Sequence, residues 1–277
     1  MTGRNRQLFS LAAATAASAD RMQSVRLAAE AGYDAVGLRF DQRPPSGSEV
    51  RSLHRALTDA GLGVLDIEVI RIRPGDNADA TQRLVEWGVD VGAGHLLVVS
   101  DDADPARTVA RFAETCEVAG AGGMVAVLEF MRFTAVPRLA DAVAVVQAAG
   151  HPAGAVLVDL LHLVRSGSVP ADLLKVAPAL LPYAQLCDAG EPGGDPAHEA
   201  RHARMLPGEG SLPLAEFVDA LPLGIPLSIE VASDRERERR GPRLARDALV
   251  MARSFLGGAR PGCGAAGPGR EVDEHAD

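Results

Sequence analysis

The sequence predicts an α/β fold, a closed (β/α)8 barrel, on three observations. Eight short apolar runs, rich in β-branched residues, alternate with segments of helical periodicity. The alternation fills about 250 residues, the usual size of such a barrel, whereas a doubly wound sheet of that length shows fewer units or a second domain. The 277-residue chain is 47% hydrophobic, mostly Ala, Val and Leu, which is ample for one large core. One barrel domain is expected over residues 1–258. A seven-unit or open sheet is the alternative, since it requires only that the first strand or the sixth helix fail.

Taken in order, "LFSLAAA" is the first strand, with Ser18 capping the helix "ADRMQSVRLAAEAG" and Gly32 ending it. "YDAVGLR" precedes the helix "EVRSLHRALTDAG", and "VLDIEVIRI" precedes "ATQRLVEWGVDVGAG" behind Asn77 as cap. "HLLVVS" is the fourth strand, and Pro105 suits the first turn of "ARTVARFAETCEVAG". "MVAVLEF" leads to "VPRLADAVAVVQAAG", and "AVLVDLL" leads to "ADLLKVAPALL". "YAQLC" precedes a long polar loop and the helix "LPLAEFVDAL"; "IPLSIEV" precedes "GPRLARDALVMARSFLG". The run "DRERERR" at 234–240 is expected to be a solvated, flexible loop, and the Gly- and Pro-rich tail 259–277 to be disordered.

Composition excludes several classes. A net charge of -9 argues against a nucleic-acid partner, whose phosphates require a basic surface. No run approaches about 18 uninterrupted apolar residues, so no membrane partner is expected. The start places basic residues before a short apolar run, as a secretion signal does, but "LFSLAAATA" is Ala-rich and serves better as a strand; a cytoplasmic location is expected. Cys116, Cys187 and Cys263 are too few and too scattered for a disulfide framework or a thiolate zinc site. Lys175 is the only lysine and falls in the expected sixth helix, so no amine is placed for Schiff-base chemistry.

In a barrel of this kind chemistry resides at the C-terminal ends of the strands. Glu129 ends "MVAVLE", Asp159 ends "AVLVD", Gln185 sits in "YAQL" and Glu230 ends "PLSIE", on the fifth to eighth strands in succession. One such residue alone would be a partly solvated strand terminus. Several carboxylates converging near a low-dielectric interior repel one another unless a cation binds them, and a divalent metal is the natural partner.

The set "LEF", "VDLLH", "QLCD" and "SIEV" resembles the xylose isomerase-like TIM-barrel superfamily, the sugar phosphate isomerases/epimerases, over about residues 8 to 256. That resemblance implies Glu129, Asp159 and Glu230 as ligands of a divalent metal, with His162, the histidine of Asp-x-x-His, lining the substrate pocket. Gln185 stands where many members have a histidine fourth ligand; Gln occurs there in relatives that look like 3-dehydroshikimate dehydratases. Three carboxylates and an amide carbonyl make an all-oxygen donor set, which suits Mg2+ or Mn2+ better than zinc or copper.

The expected substrate is a small polar, sugar-like or carboxylated hydroxy-ketone. Glu129 or Glu230 would remove a proton beside its carbonyl, and His162 or a histidine of the long loop would return or relay it. Reprotonation gives an isomerase or epimerase; loss of a β-hydroxyl gives a dehydratase, and cleavage of a keto-glycoside is a further lyase outcome. Arg39 and Arg71, with Arg73, follow the second and third strands and are candidate carboxylate or phosphate contacts, though the solvated surface arginine is the stronger reading of each. Glu68 and Asp66 share one strand face. The loop "EPGGDPAHEARHARMLPGEGSL" carries His198, Arg201, His202 and Arg204, of which Arg204 is the expected substrate contact. The AP endonucleases of the same superfamily use a His-rich multi-zinc site, which the seven scattered histidines and acidic charge here do not match. A barrel that only binds a metabolite would have lost a ligand, and all four positions keep coordinating side chains. A homo-oligomer is compatible with the sequence.

Overall fold

The structure, a computed structural model, describes residues 7–16, 20–40, 44–75 and 78–257. The expected caps Ser18 and Asn77, Cys263 and the tail 259–277 lie outside the described residues. Eight parallel strands close into a barrel in sequence order. They are β1 (Phe9–Leu11), β2 (Ala35–Arg39), β3 (Gly63–Ile72), β4 (Ala93–Ser100), β5 (Val125–Glu129), β6 (Gly154–Asp159), β7 (Ala184–Leu186) and β8 (Leu227–Ile229). Around them run α1 (Arg21–Ala31), α2 (Gly47–Ala60), α3 (Ala78–Val91), α4 (Pro105–Ala121), α5 (Leu139–Ala149), α6 (Leu160–Arg165), α7 (Pro196–His202), α8 (Leu214–Ala220), α9 (Asp234–Arg240) and α10 (Arg243–Gly257).

Local signals explain the first five units. Asp20 caps α1 by accepting from the Gln23 N–H, and Gly32 ends the helix at φ 84°, a left-handed conformation costly for any residue with a Cβ. Asp104 caps α4 with Pro105 in its first turn. The strands bury both faces. Outward residues such as Leu128 and Val156 pack under the helices, while Leu97, Val127, Leu157 and Tyr183 fill the barrel interior.

The second half departs from expectation in four places. The strand expected to run through Leu161 stops at Asp159, and α6 begins at once. "ADLLKVAPALL" is not a helix but two 3-10 turns, Pro170–Lys175 and Pro178–Leu180. Pro178 lacks the N–H that would continue an α-helix and holds Ala177 extended (ψ 127°). "DRERERR" is helix α9 rather than a flexible loop: Ser233 accepts from the Glu236 N–H, and Arg237 and Arg240 pair with Asp234 and Glu236 one turn earlier. The long loop likewise carries α7, started by Asp195 and Pro196.

Candidate metal centre

Strand register assembles the site. Asp159 pairs with Gln185 across β6 and β7, and Gln185 pairs with Ser228 across β7 and β8, so their side chains share the inner face. Glu129 pairs with Leu157, two residues before Asp159, and Glu230 lies two residues after Ser228; the alternation of a strand keeps both on that face. Asp159 is also the N-cap of α6: its Oδ1 accepts from the His162 N–H at 3.0 Å. The Asp-x-x-His spacing thus has a local cause, since a cap side chain reaches the third residue of its helix, and His162 is delivered to the first turn beside the carboxylates.

Glu129, Asp159 and Glu230 are all buried, and each offers an oxygen such that all three lie within 4.8 Å of one another. Burial and the carboxylates of Glu230 and Asp159 push the Glu129 carboxyl well above its ordinary range. Burial likewise pushes Glu230 up to about 8, against the pull of Arg204. Burial opposes ionisation of Asp159 too, but the Arg204 charge, His162 and their hydrogen bonds outweigh it and hold that carboxyl below its usual range. His162 is pushed down to about 4, by burial first, and is therefore a neutral imidazole at neutral pH.

Arg204, the expected substrate contact, has its guanidinium packed against the cluster with 2% of its surface exposed. Nη1 donates to Asp159 Oδ2 at 2.6 Å, Nη2 donates to His162 Nε2 at 3.4 Å and lies 3.8 Å from Glu230 Oε1, and Nε donates to the Ala200 carbonyl at 2.8 Å. With all three carboxylates ionised, this one guanidinium leaves two negative charges, which a divalent cation would balance. Glu230 Oε2 and Gln185 Oε1 are buried with no hydrogen-bond partner among the described residues. Buried oxygens without donors, next to clustered carboxylates, are a donor set that fits a hard dication.

The cluster opens into a mouth cavity of about 320 Å³, lined by Glu129, Gln185, Glu230, His162 and Arg204 on one side and by Arg39 and Arg71 on the other. Arg39 donates to Glu68 at 2.6 Å, and Arg71 donates to both oxygens of Asp101 at 2.9 and 3.1 Å, so each arginine reaches the cavity while ion-paired. Arg73 lies 3.8 Å from Asp101. Asp66 turns into the barrel, where the Tyr183 hydroxyl donates to its Oδ2 at 2.6 Å and burial pushes it up to about 7. Lys175 is exposed and donates to Asp172 at 2.8 Å.

Sequence reasoning missed three contributors. Phe133 packs its ring edge against His162 at 5.8 Å and lines the cavity. Asp188 accepts from the N–H groups of Ala189, Gly208 and Leu212, folding the long loop back on itself. Arg165 grips Glu199 bidentately and the Gly190 carbonyl, tying α6 to α7. The Asp next to "QLC" and the Arg-Ser-Gly at the end of α6 were visible signals for the last two; nothing marked Phe133.

The sequence profile of xylose isomerase-like TIM barrels matches residues 25–254. No curated protein sequence matches the chain. Among solved structures, a xylose isomerase-like TIM barrel/4-hydroxyphenylpyruvate dioxygenase fusion protein superposes with TM-score 0.79 at 21% identity, over 93% of this chain; the chain spans 45% of the fusion protein's length. An IolI protein with a binding zinc atom has TM-score 0.79 at 14% identity, over 90% of this chain and 98% of its own. A probable 3-DHS dehydratase, AsbF of Bacillus anthracis, has TM-score 0.72 at 16% identity, over 88% and 98%. These likenesses establish the shared fold, and the profile match over most of the sequence establishes the lineage: the chain belongs to the xylose isomerase-like TIM barrel family.

Proposed function

We propose that the protein is a divalent-metal-dependent isomerase or epimerase of a sugar-like hydroxy-ketone, working through an enediolate. The observation that carries this reading is the buried triad Glu129, Asp159 and Glu230 at the C-terminal mouth of the barrel, open to a cavity on one side. Glu129, Asp159, Gln185 and Glu230 would hold the ion, and their all-oxygen character favours Mn2+ or Mg2+, with Zn2+ included because a protein of the same fold binds it. A bound dication supplies Lewis-acid polarisation of the carbonyl and its neighbouring oxygen. Glu129 and Glu230, whose carboxyls burial raises above the ordinary carboxylate range, are placed to take and return a proton beside that carbonyl. Neutral His162 accepts or relays it, held in place by its helix turn and Phe133. Arg39, Arg71 and Arg204 would bind the polar end of the substrate.

A second reading, a dehydratase or other lyase using the same proton abstraction, is favoured by the arginines at the mouth. Arg39, Arg71, Arg201 and Arg237 line the cavity with Arg204; four of the five already hold carboxylates of the protein, and their guanidinium groups suit a carboxylated ring. Solvent deuterium exchange separates the outcomes. Protein loaded in turn with Mn2+, Mg2+ and Zn2+ is incubated in D2O with ketoses, inososes, 3-dehydroshikimate and keto-glycosides. Deuterium at the carbon beside the carbonyl, with an isomer or epimer as product, supports the first reading, and an unsaturated product supports the second. No exchange with any of these classes under any metal sinks both.

A further inference from the structure

Helix α7 carries His198 and His202 four residues apart, so the two side chains leave the same face. Their rings stack with centroids 5.0 Å apart and planes 26° from parallel. His202 Nδ1 lies 3.0 Å from Asp234 Oδ2 at the start of α9. That contact places the His202 proton on Nδ1 and leaves the Nε2 lone pair outward, as a carboxylate does behind a metal-bound histidine. His202 is also the last residue of its helix, where the backbone dipole favours a positive charge.

We propose that His198 and His202 form a second metal site, distinct from the carboxylate cluster, taking a borderline dication such as Zn2+, Ni2+ or Cu2+. Two imidazoles bind the ion, water completes its shell, and Asp234 holds His202 from behind. The chemistry separates the two sites: imidazole nitrogen selects late transition metals, whereas Mg2+ keeps to oxygen donors. His198 is exposed and the His202 side chain is 42% exposed, so solvent surrounds part of each ring and leaves room to turn toward a shared ion. Two arginines stand close. Arg237 shares Asp234 through its other carboxylate oxygen, which neutralises it locally, and Arg201 is turned away over the Phe133 ring at 5.2 Å. His202 lines the mouth cavity, so the ion would sit on the rim through which substrate enters.

The test is Ni2+ titration by calorimetry into the full chain in excess Mg2+, comparing wild type with a His198→Ala/His202→Ala double variant. Any Ni2+ that displaces Mg2+ from the strand-end cluster is common to both proteins, so the difference between them does not depend on the proposed enzymatic reading. Wild type is expected to take up one more equivalent than the double variant, at micromolar affinity. Asp234→Asn should weaken that equivalent by about tenfold or more, the usual effect of an outer-shell carboxylate. Equal uptake by wild type and double variant overturns the site, and unchanged affinity in Asp234→Asn overturns the part given to Asp234. Matching thermal melts confirm that the variants stay folded.

Discussion

Arg204 Nη1 donates to Asp159 Oδ2 at 2.6 Å, and both side chains are almost wholly shielded from solvent. The guanidinium therefore occupies one side of the carboxylate that the metal would share. Removing it leaves three buried carboxylates with no internal cation. Arg204→Gln should lower the stability of the metal-free protein by about 3–5 kcal/mol, the usual cost of breaking a buried pair. It should also tighten divalent-metal binding by about tenfold or more, because a positive charge a few ångströms from the ion is gone. Melting with chelator and metal titration check the two halves; unchanged metal affinity would show that Arg204 does not contend for the cluster.

Ligand and base roles separate by mutation. Asp159→Asn and Glu230→Gln keep size and remove charge, so each should weaken metal binding as well as turnover, because an amide is a poorer donor to a hard cation. His162→Ala should leave metal affinity near wild type while kcat/KM falls by about 10²- to 10⁴-fold. Normal turnover by a merely destabilised His162→Ala protein would make it a packing residue.

The buried carboxyls give the metal-free protein an unusual pH dependence. Burial holds Glu230 at about 8 and Asp66 at about 7, above their unfolded values, so the folded state carries more protons and stability falls as pH rises through this range. His162, at about 4 when folded, and His95, which burial also lowers, pull the other way, but only below their unfolded value of 6.5. Between about pH 6.5 and 8 the carboxyls act alone. The melting temperature with chelator should decline across that window, and the stabilisation on adding Mn2+ should grow, since binding expels the protons. A rising melting temperature without metal would contradict the protonated state of these groups.

Gly37 pairs with Asp66 across β2 and β3, and a Cβ at Gly37 would overlap Asp66 Oδ1 and crowd the Ala13 N–H. Gly37→Ala should push Asp66 off the Tyr183 hydroxyl and cost about 1–3 kcal/mol in chemical denaturation, the usual range for overpacking. Gly63→Ala, whose Cβ would meet only ordinary contacts, serves as the control and should cost less.

The sequence by itself determined the eightfold alternation and which polar residues close the strands. Period-2 apolar runs, Asp104-Pro105 and Gly32 mark elements through local physics, which needs no tertiary partner. It also brought Asp159 and His162 together, because a helix cap and its first turn are three residues apart in any fold. Only the tertiary structure decided which charges meet. Arg204 arrives in the cluster from a loop folded by Asp188, Tyr183 reaches Asp66 across the barrel, and Arg39 and Arg71 are drawn to Glu68 and Asp101. Those pairings depend on strand stagger and loop path, which set distances through space that residue spacing does not encode. For the same reason the helix at 234–240 escaped the sequence: a run of alternating charges is solvated loop or helix alike until Ser233 caps it and Arg240 finds Glu209 and Asp247.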